Sequence, residues 1–565
     1  MKRFQLNGEI IVWLLAILGL LLVYIDAYFC LNTDLKSIFD EGFFFMNRKP
    51  VSDFAVYSHP FTFESDLWRA VFPLVEKWDI LTHRRVAFGL EFAGMLVLIF
   101  ASCFFFIKKG KKSWSFVLSL VACILLIGLF DLVGGEIGNG HECLIFIETL
   151  VVSISLLAVS VEKNWLKSVL VPCIGFVGTF AVLCNEPGGG AFFLLCVLFL
   201  VFYDGFHVKR MFAILIWIIL GIALALLVMN FTVISLSECI AVFKETISHT
   251  TGEGATHHSL GMVFLSVPFA VRDLVMTVTA LLGVSYVYKL VRNKTAKRWI
   301  SIVTGIVLFF VLYKWQVKPS IGFVSIITWI SFMLWEERGF GIGLLKDKDF
   351  ILFLFLFLTP LCLSFGTNIG IITRARSFII PWGMMVCLMG ALMAEKDVLF
   401  SRLFYIAVFL LVFLGIGKHV IRINNWDEYS FEKEKPIARM HLTKAQSDFY
   451  HEVYGVLGEY GYVSRQDTVL GFCFNEMTIV AIDAVPYSNV QLPEEFLLFD
   501  TARLVKPTFM ILSEWDVWVL NDFLSSMDWD FPESYDRIEM KNNADPNAGL
   551  PMMQSSLYCL KSRKN

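Results

Sequence analysis

The chain has 565 residues, 57% of them hydrophobic and 17% charged, with a formal net charge of −3 and 55 phenylalanines. Soluble globular chains carry about 45–50% apolar residues and disordered ones fewer, so both classes are excluded. The charge balance offers no basic surface for nucleic acid. Runs of about twenty apolar residues, the length that crosses roughly 30 Å of hydrocarbon, recur along the chain and predict a polytopic α-helical membrane protein.

The first apolar run, Ile10 to Phe29, exceeds a signal-peptide core and is followed by no small-residue cleavage site, so it reads as a retained signal anchor. About thirteen spans are expected, near 9–29, 86–107, 114–132, 143–161, 166–184, 189–204, 211–230, 273–289, 299–314, 319–335, 350–366, 377–394 and 399–417. Residues 259–271 are apolar but end at Arg272-Asp273, the pattern of a segment lying in the interface. The twelve cysteines fall mostly inside apolar runs, where they act as small hydrophobes. Their spacing gives no metal motif, and Cys473–Cys559 is the one disulfide the tail allows.

Lysines and arginines set the orientation. With the N-terminus in the cytoplasm, the cytoplasmic segments hold twenty of them and the short outer segments six: Lys244, Arg272, Lys314, Lys318, Arg374 and Arg376. Three longer outer segments follow: a first loop over 30–85, a second over 231–258, and the tail. The expected division is a transmembrane domain over 1–417 and a small extracytoplasmic α/β domain over 418–565. The tail shows an amphipathic helix near 441–458, then strand-like runs at Thr478–Ile482 and Thr508–Leu512.

Directly after the first span stands Phe39-Asp40-Glu41-Gly42-Phe43. A carboxylate at the rim of a hydrocarbon slab faces a water-filled cavity or a partner, and there it can take a proton from an attacking hydroxyl. Asp40 equally suits a helix N-cap. The stretch Ile38 to Phe44 resembles the "FDE" motif that opens the first outer loop of the protein O-mannosyltransferases, and Ser58-His59-Pro60 resembles the His-Pro that follows there. In span number and terminal outer domain the chain is also similar to the lipid A aminoarabinose transferases, and with both to the GT-C glycosyltransferases. Two features depart from the mannosyltransferases: Phe61-Thr62 replaces the Pro and Lys after His-Pro, and the MIR insertion has no counterpart.

The resemblance implies that Asp40 is the general base on the acceptor hydroxyl and that Glu41 positions it or binds a sugar hydroxyl, with His59 a substrate contact. It implies a sugar donor carried on polyprenyl phosphate and a lipid, glycan or protein acceptor. It also implies an inverting displacement on the periplasmic or exterior face of the cytoplasmic (inner) membrane. No cofactor is required, although a divalent metal is compatible with the chemistry. Arg374 and Arg376 run against the positive-inside bias and suit a phosphate clamp, since a guanidinium matches phosphate oxygens in a fork; snorkelling to headgroups is the plainer reading. Lys314, with Lys318 beside Trp315, is a weaker candidate of the same kind. Glu136, His141 and Glu142 lie in a glycine-rich outer loop that is either a polar turn or a ligand site, and Glu186 in Asn185-Glu186-Pro187-Gly188 is either an acceptor contact or part of a tight turn. His257-His258 reads as an ordinary loop pair, while Asp26, Glu91 and Asp131 near the outer ends of their spans are candidates for lining the same cavity.

Two other classes fit an apolar chain of this kind. An O-antigen-type polymerase or ligase carries its large outer loop late in the chain, whereas here the long loop comes first. A transporter or flippase of lipid-linked sugars is expected to show paired, broken spans in related halves, and no internal repeat is seen. The charge distribution yields a direct test: an impermeant thiol reagent applied outside should label a cysteine introduced at Asp545, and labelling only after permeabilisation would reverse the orientation and every outer site with it.

Overall fold

The computed structural model describes residues 2–33, 41–49, 62–131 except 112, 141–241, 342–365, 371–424 except 397, and most of 429–564, with scattered positions between 244 and 335. The expected spans at 273–289 and 299–314, the interfacial segment 259–271 and His257-His258 fall almost wholly outside these residues. The first described helices are α1 (Lys2–Asn32), α2 (Glu41–Asn47), α3 (Thr62–Val71), α4 (Ile80–Lys108) and α5 (Trp114–Asp131). They are followed by α6 (Glu142–Ser160), α7 (Asn164–Cys184), α8 (Glu186–Phe202) and α9 (Val208–Thr232). After the sparsely described region come α10 (Lys348–Leu363), α11 (Ile371–Arg374), α12 (Ile380–Lys396) and α13 (Val398–Asn424).

Five of the described helices are long and apolar enough to cross a bilayer: Trp13–Asn32 within α1, then α4, α6, α7 and α9. Shorter apolar stretches lie at Trp114–Leu129, Pro187–Phe202 and Val398–Leu414. The chain is therefore a helical membrane protein, and the described residues account for part of the thirteen crossings expected. Exposed Leu14, Ile17, Leu21, Phe100, Ile216, Ile219, Leu220 and Leu224 form an outward apolar surface suited to lipid. Small residues let spans approach closely, as is usual without a hydrophobic drive between helices. A Cβ on Gly175 of α7 would lie 2.3 Å from the Ile218 carbonyl oxygen of α9, and one on Gly221 of α9 would lie 2.0 Å from that of Pro172.

The tail forms a five-stranded mixed sheet. Its elements are β1 (Tyr429–Phe431), β2 (His441–Thr443), α14 (Lys444–Glu459), β3 (Thr468–Gly471), α15 (Glu476–Ala481) and β4 (Val485–Pro486). They continue with α16 (Pro493–Phe496), β5 (Phe509–Ser513), α17 (Glu514–Ser526), β6 (Tyr535–Glu539) and β7 (Ser555–Leu560). The sheet order is β4-β3-β5-β7-β6, with β3 parallel to β4 and β5, and β7 antiparallel to β5 and β6; β1 and β2 pair separately. Alternate residues of β5 feed opposite faces: Phe509 and Ile511 join one apolar core with Phe449, Val453 and Leu457 of α14, while Met510 and Leu512 join another with Leu520 and Leu524 of α17.

One sequence expectation is corrected in the tail. Residues 478–482, expected as a strand, belong to α15 and the turn after it; a short buried apolar run has no periodicity that separates strand from helix. Cys559 is a buried free thiol rather than half of a disulfide, and Cys473 lies outside the described residues. The expected helix near 441–458 is α14, and the expected strand over 508–512 is β5.

The tail does not stand apart from the membrane domain. Phe43, Phe44, Phe45 and Met46 of α2, with Ile80 and Leu81 at the start of α4, belong to the same buried core as α14 and β5. Thr33, just past α1, makes a parallel β-bridge with His441. The Arg439 guanidinium donates to Asp79 at 2.6 Å, and the same carboxylate caps α4 by accepting from the Thr82 amide at 2.8 Å. Lys49 donates to Asp483 at 2.5 Å, and Arg465 donates to that carboxylate also at 2.5 Å. Burial alone would raise the Asp483 carboxyl, but Lys49 and Arg465 together hold it below the usual range. This tie is therefore fully present above the ordinary carboxylate pKa and is lost only when the pH falls through the depressed value.

Tail and loop approach closely at Gly42, where a Cβ would lie 2.5 Å from the Met477 amide nitrogen of α15. Only glycine lets these two helix backbones touch. Gly42→Ala should therefore push α2 off the tail and cost about 1–3 kcal/mol, the usual range for overpacking a tight core. Thermal unfolding in detergent, with limited proteolysis of the tail as a second readout, checks this; an unchanged melting temperature and digestion pattern would show that the contact carries no load.

Candidate functional site

The site is built where α1 ends and α2, α3, α4 and α6 begin. A helix ends with four carbonyls that lack intrahelical partners. Arg84, one turn into α4 and fully buried, donates from Nη1 to the carbonyls of Thr33 at 3.0 Å, Leu31 at 3.3 Å and Cys30 at 3.4 Å. Its Nε and Nη2 grip the two Glu41 carboxylate oxygens at 2.6 and 2.8 Å. One guanidinium thus closes the end of α1 and anchors the start of α2.

A second buried arginine ties the other end of α2. Arg48 donates from Nη2 to Glu142, the first residue of α6, at 3.0 Å, with both side chains fully buried. Its guanidinium carbon stands 4.1 Å from the ring centre of Trp68 on α3 and 5.3 Å from that of Phe45. Phe45 stacks on His83 of α4 at 4.6 Å, and Phe44 meets His141 edge-on at 5.7 Å.

Glu64 in the first turn of α3 reaches across to α6. Its Oε1 accepts from the Cys143 amide at 2.8 Å and the Leu144 amide at 3.4 Å, filling donors that every helix N-terminus leaves open. Its Oε2 is 3.7 Å from His141 Nδ1. Burial pushes the Glu64 carboxyl up to about 8, against the pull of Arg48, the two amides and Arg374. Burial thus favours its neutral form. The charge of Arg374 acts on Glu64, and Phe378, in the turn after α11, lies 6.1 Å from His141, so the α11 segment belongs to the same end of the bundle.

The sequence candidates divide accordingly. Glu41 is buried in its two-point pair with Arg84, and Arg374 is buried while Arg376 is half-buried. Glu186 begins α8, and the Asn185 side chain before it accepts from the Gly188 amide at 3.4 Å and donates to the Leu363 carbonyl at 2.9 Å, so this turn joins α8 to the end of α10. Glu142 is an ion-pair partner of Arg48. Glu91 is buried within α4. Asp40, His59, Glu136, Lys314 and Lys318 lie outside the described residues. Among the described residues no three His, Cys, Asp or Glu side chains come together as metal ligands.

Sequence reading missed Arg48, Glu64, Trp68, His83 and Arg84. A signal was present for two of them. Glu64 is an acid in the first turn of a strongly amphipathic helix, and Arg84 is a cation inside the outer edge of an apolar run, where an unpaired charge is costly.

Beside the cluster, Lys49, Lys77, Trp78, Asp79, Arg465 and Asp483 line a cavity of about 180 Å³ between the first loop and the tail. At the far end of the bundle the ion pairs are more exposed: Lys109 with Asp349 at 3.1 Å, and Asp204 with Arg210 and Lys348, each at 2.9 Å.

No family model matches the chain, and no curated protein matches it. Among solved structures it is similar to ArnT from Cupriavidus metallidurans in the apo state, at 11% identity over 98% of each chain with a TM-score of 0.40. A similarity that loose assigns neither an activity nor a site to this chain. What stands on the chain's own features is a helical membrane protein with a buried cluster of charged side chains where α2, α3, α4 and α6 meet.

The Arg84–Glu41 pair generates a stability prediction. Removing one partner of a buried pair typically costs about 3–5 kcal/mol because the other charge is left uncompensated. Arg84→Met should fall in that range or above it, since the α1 carbonyls also lose their donor. Glu41→Gln added to Arg84→Met should recover part of the loss. A double-mutant cycle on detergent melts checks this; strict additivity would mean that the pair contributes no coupling.

Proposed function

We propose that the chain is a membrane glycosyltransferase that moves a sugar from a polyprenyl-phosphate donor to an acceptor hydroxyl at the tail-bearing end of the bundle. The observation that carries this reading is the convergence of three separate segments. The helix that follows Asp40 is clamped by Arg84 and Arg48, and the segment bearing Arg374 meets the same cluster where Phe378 lies 6.1 Å from His141. A motif that resembles the mannosyltransferase "FDE" thus adjoins a buried cluster of charge pairs, with the Arg374 segment at the same end of the bundle.

In this reading Asp40 takes the proton of the acceptor hydroxyl as its oxygen attacks the anomeric carbon. The bond from that carbon to the phosphate oxygen breaks, and the polyprenyl phosphate leaves with the electron pair. A phosphate is a good leaving group and needs no protonating acid, so one base suffices. Displacement from the opposite face inverts the anomeric centre. Glu41 positions its neighbour: Arg84 holds both of its oxygens, which fixes the backbone at the start of α2 relative to the end of α1. Arg374, with Arg376 on the same segment, is assigned to the donor phosphate, which a guanidinium binds with two parallel hydrogen bonds. His59, Glu136, Glu186 and Lys314 remain assigned as substrate contacts. Thirteen spans, an outward-facing site and residence in the inner membrane belong to the same proposal, and a divalent metal is compatible with it.

Asp40→Asn keeps the shape and removes the proton acceptor, so sugar transfer by the purified protein should fall about 10²–10⁴-fold with the melting temperature unchanged. Near-native turnover would exclude Asp40 as the base. Glu41→Gln weakens the Arg84 grip instead, and its loss of activity should track its loss of stability.

A further inference from the structure

The cavity between the first loop and the tail takes no part in the transfer chemistry, and its wall is unbalanced in charge. Lys77, in the single turn over Val75–Lys77 before α4, is exposed, and its ammonium has no partner among the described residues. Glu76 beside it is exposed and outside the lining. The two carboxylates of the wall are already served: Asp79 accepts from the Thr82 amide and Arg439, and Asp483 accepts from Lys49 and Arg465. Arg465 reaches Asp483 through Nε alone, and with 60% of its side chain exposed both Nη groups are open to a ligand. Four cations thus meet two carboxylates around one small space, an excess of two positive charges among the described residues. An ion-pair junction alone needs one cation per carboxylate. The backbone is also unusual here. Arg439, Arg465 and Asp483 have φ of 71°, 64° and 56°, and among the described residues only Asp530 joins them as a non-glycine residue with positive φ. Side chains rarely adopt this conformation, and it concentrates where function fixes the geometry.

We propose that this cavity is a phosphate-binding site, built jointly by the first loop and the tail, that takes a phosphate monoester with a small organic group. Such an ester carries a charge of about −1.5 to −2 at pH 7, which matches the excess of two. Arg465 offers parallel donors to the phosphate oxygens, and Lys77 and the buried Lys49 offer point charges. The cavity lies at the start of α4, where the positive end of the helix dipole favours an anion. Its volume of about 180 Å³ far exceeds the need of a single water and falls short of the roughly 300–1,000 Å³ of a drug-sized pocket. Trp78, Ile80 and Val480 add an apolar side for the carbon skeleton that bears the phosphate. The same head group occurs on soluble esters and on lipids such as phosphatidic acid. Lys49 and Lys77 come from the loop and Arg465 from the tail, so a bound ester joins the two and stabilises the folded chain by mass action. The proposal holds whether or not Asp40 is the base and Arg374 the donor contact.

The full chain in detergent is titrated by calorimetry with glycerol 3-phosphate and, separately, with phosphatidic acid in mixed micelles. Lys77→Gln removes an exposed charge that has no described partner, so the melting temperature without ligand should not change. Affinity should fall roughly ten- to hundredfold, the scale of one charge-assisted hydrogen bond. Lys541→Gln removes an equal charge from the exposed surface of the tail outside the cavity and should bind as the native chain does. Lys77-dependent binding of glycerol 3-phosphate assigns the site to soluble esters, and Lys77-dependent binding of phosphatidic acid alone assigns it to a lipid head group. Absence of binding by either probe, or the same loss in Lys77→Gln and Lys541→Gln, overturns the proposal.

Discussion

The guanidinium of Arg84 is the point on which this end of the molecule depends. It sits where three constraints meet: a transmembrane helix must end, its last carbonyls need donors, and the buried Glu41 carboxylate at the start of the next helix needs a counter-charge. By donating to three carbonyls of the first span's end and two oxygens of Glu41, one side chain meets all three. Such a buried cation is unfavourable unless every donor is used, and here all its modes of hydrogen bonding converge on a single geometry. The start of α2 is thereby tied to the end of α1.

Arg48 holds the other end of the same short helix more sparingly, with Glu142 as hydrogen-bond partner and an aromatic face beneath it, while its Nε and Nη1 are buried without a hydrogen bond among the described residues. Buried ion pairs are poor evidence for stability, since desolvation offsets most of the attraction, but they are specific about register. The exposed pairs at the opposite end contrast with this. Lys109 with Asp349 and Lys348 with Asp204 contribute about 0–1 kcal/mol each and carry no comparable demand on geometry. The two ends of the bundle therefore spend their charges differently: one on placement, the other on solubility.

Much of the helical layout was legible from hydropathy. The expected spans at 86–107, 143–161, 166–184 and 211–230 correspond to α4, α6, α7 and α9, because apolar length alone decides a crossing. The strand at 509–513 was legible from β-branched and aromatic content, but α15 was not, since six buried residues of a helix look like a strand. At the site, sequence pointed to Glu41 and Arg374 as exceptional residues in their loops. It did not reveal that Glu41 is held by Arg84, 43 residues on, or that Glu64 caps a helix that begins near residue 142. Partnerships of that range depend on how helices are brought together, and no local period records them. Gly42 is the clearest case: in sequence it is one residue of a motif, and its reason is a backbone amide at Met477.

That contact spans almost the whole length of the chain. Lys49 and Asp483, which close the same junction, are 434 residues apart. At about 5–20 residues per second, a ribosome takes roughly 20–90 seconds to travel between them. During that interval Phe43, Phe44, Phe45 and Met46 have been made while the tail core that buries them has not. Until synthesis reaches the tail, those four side chains lack the partners that bury them in the finished fold.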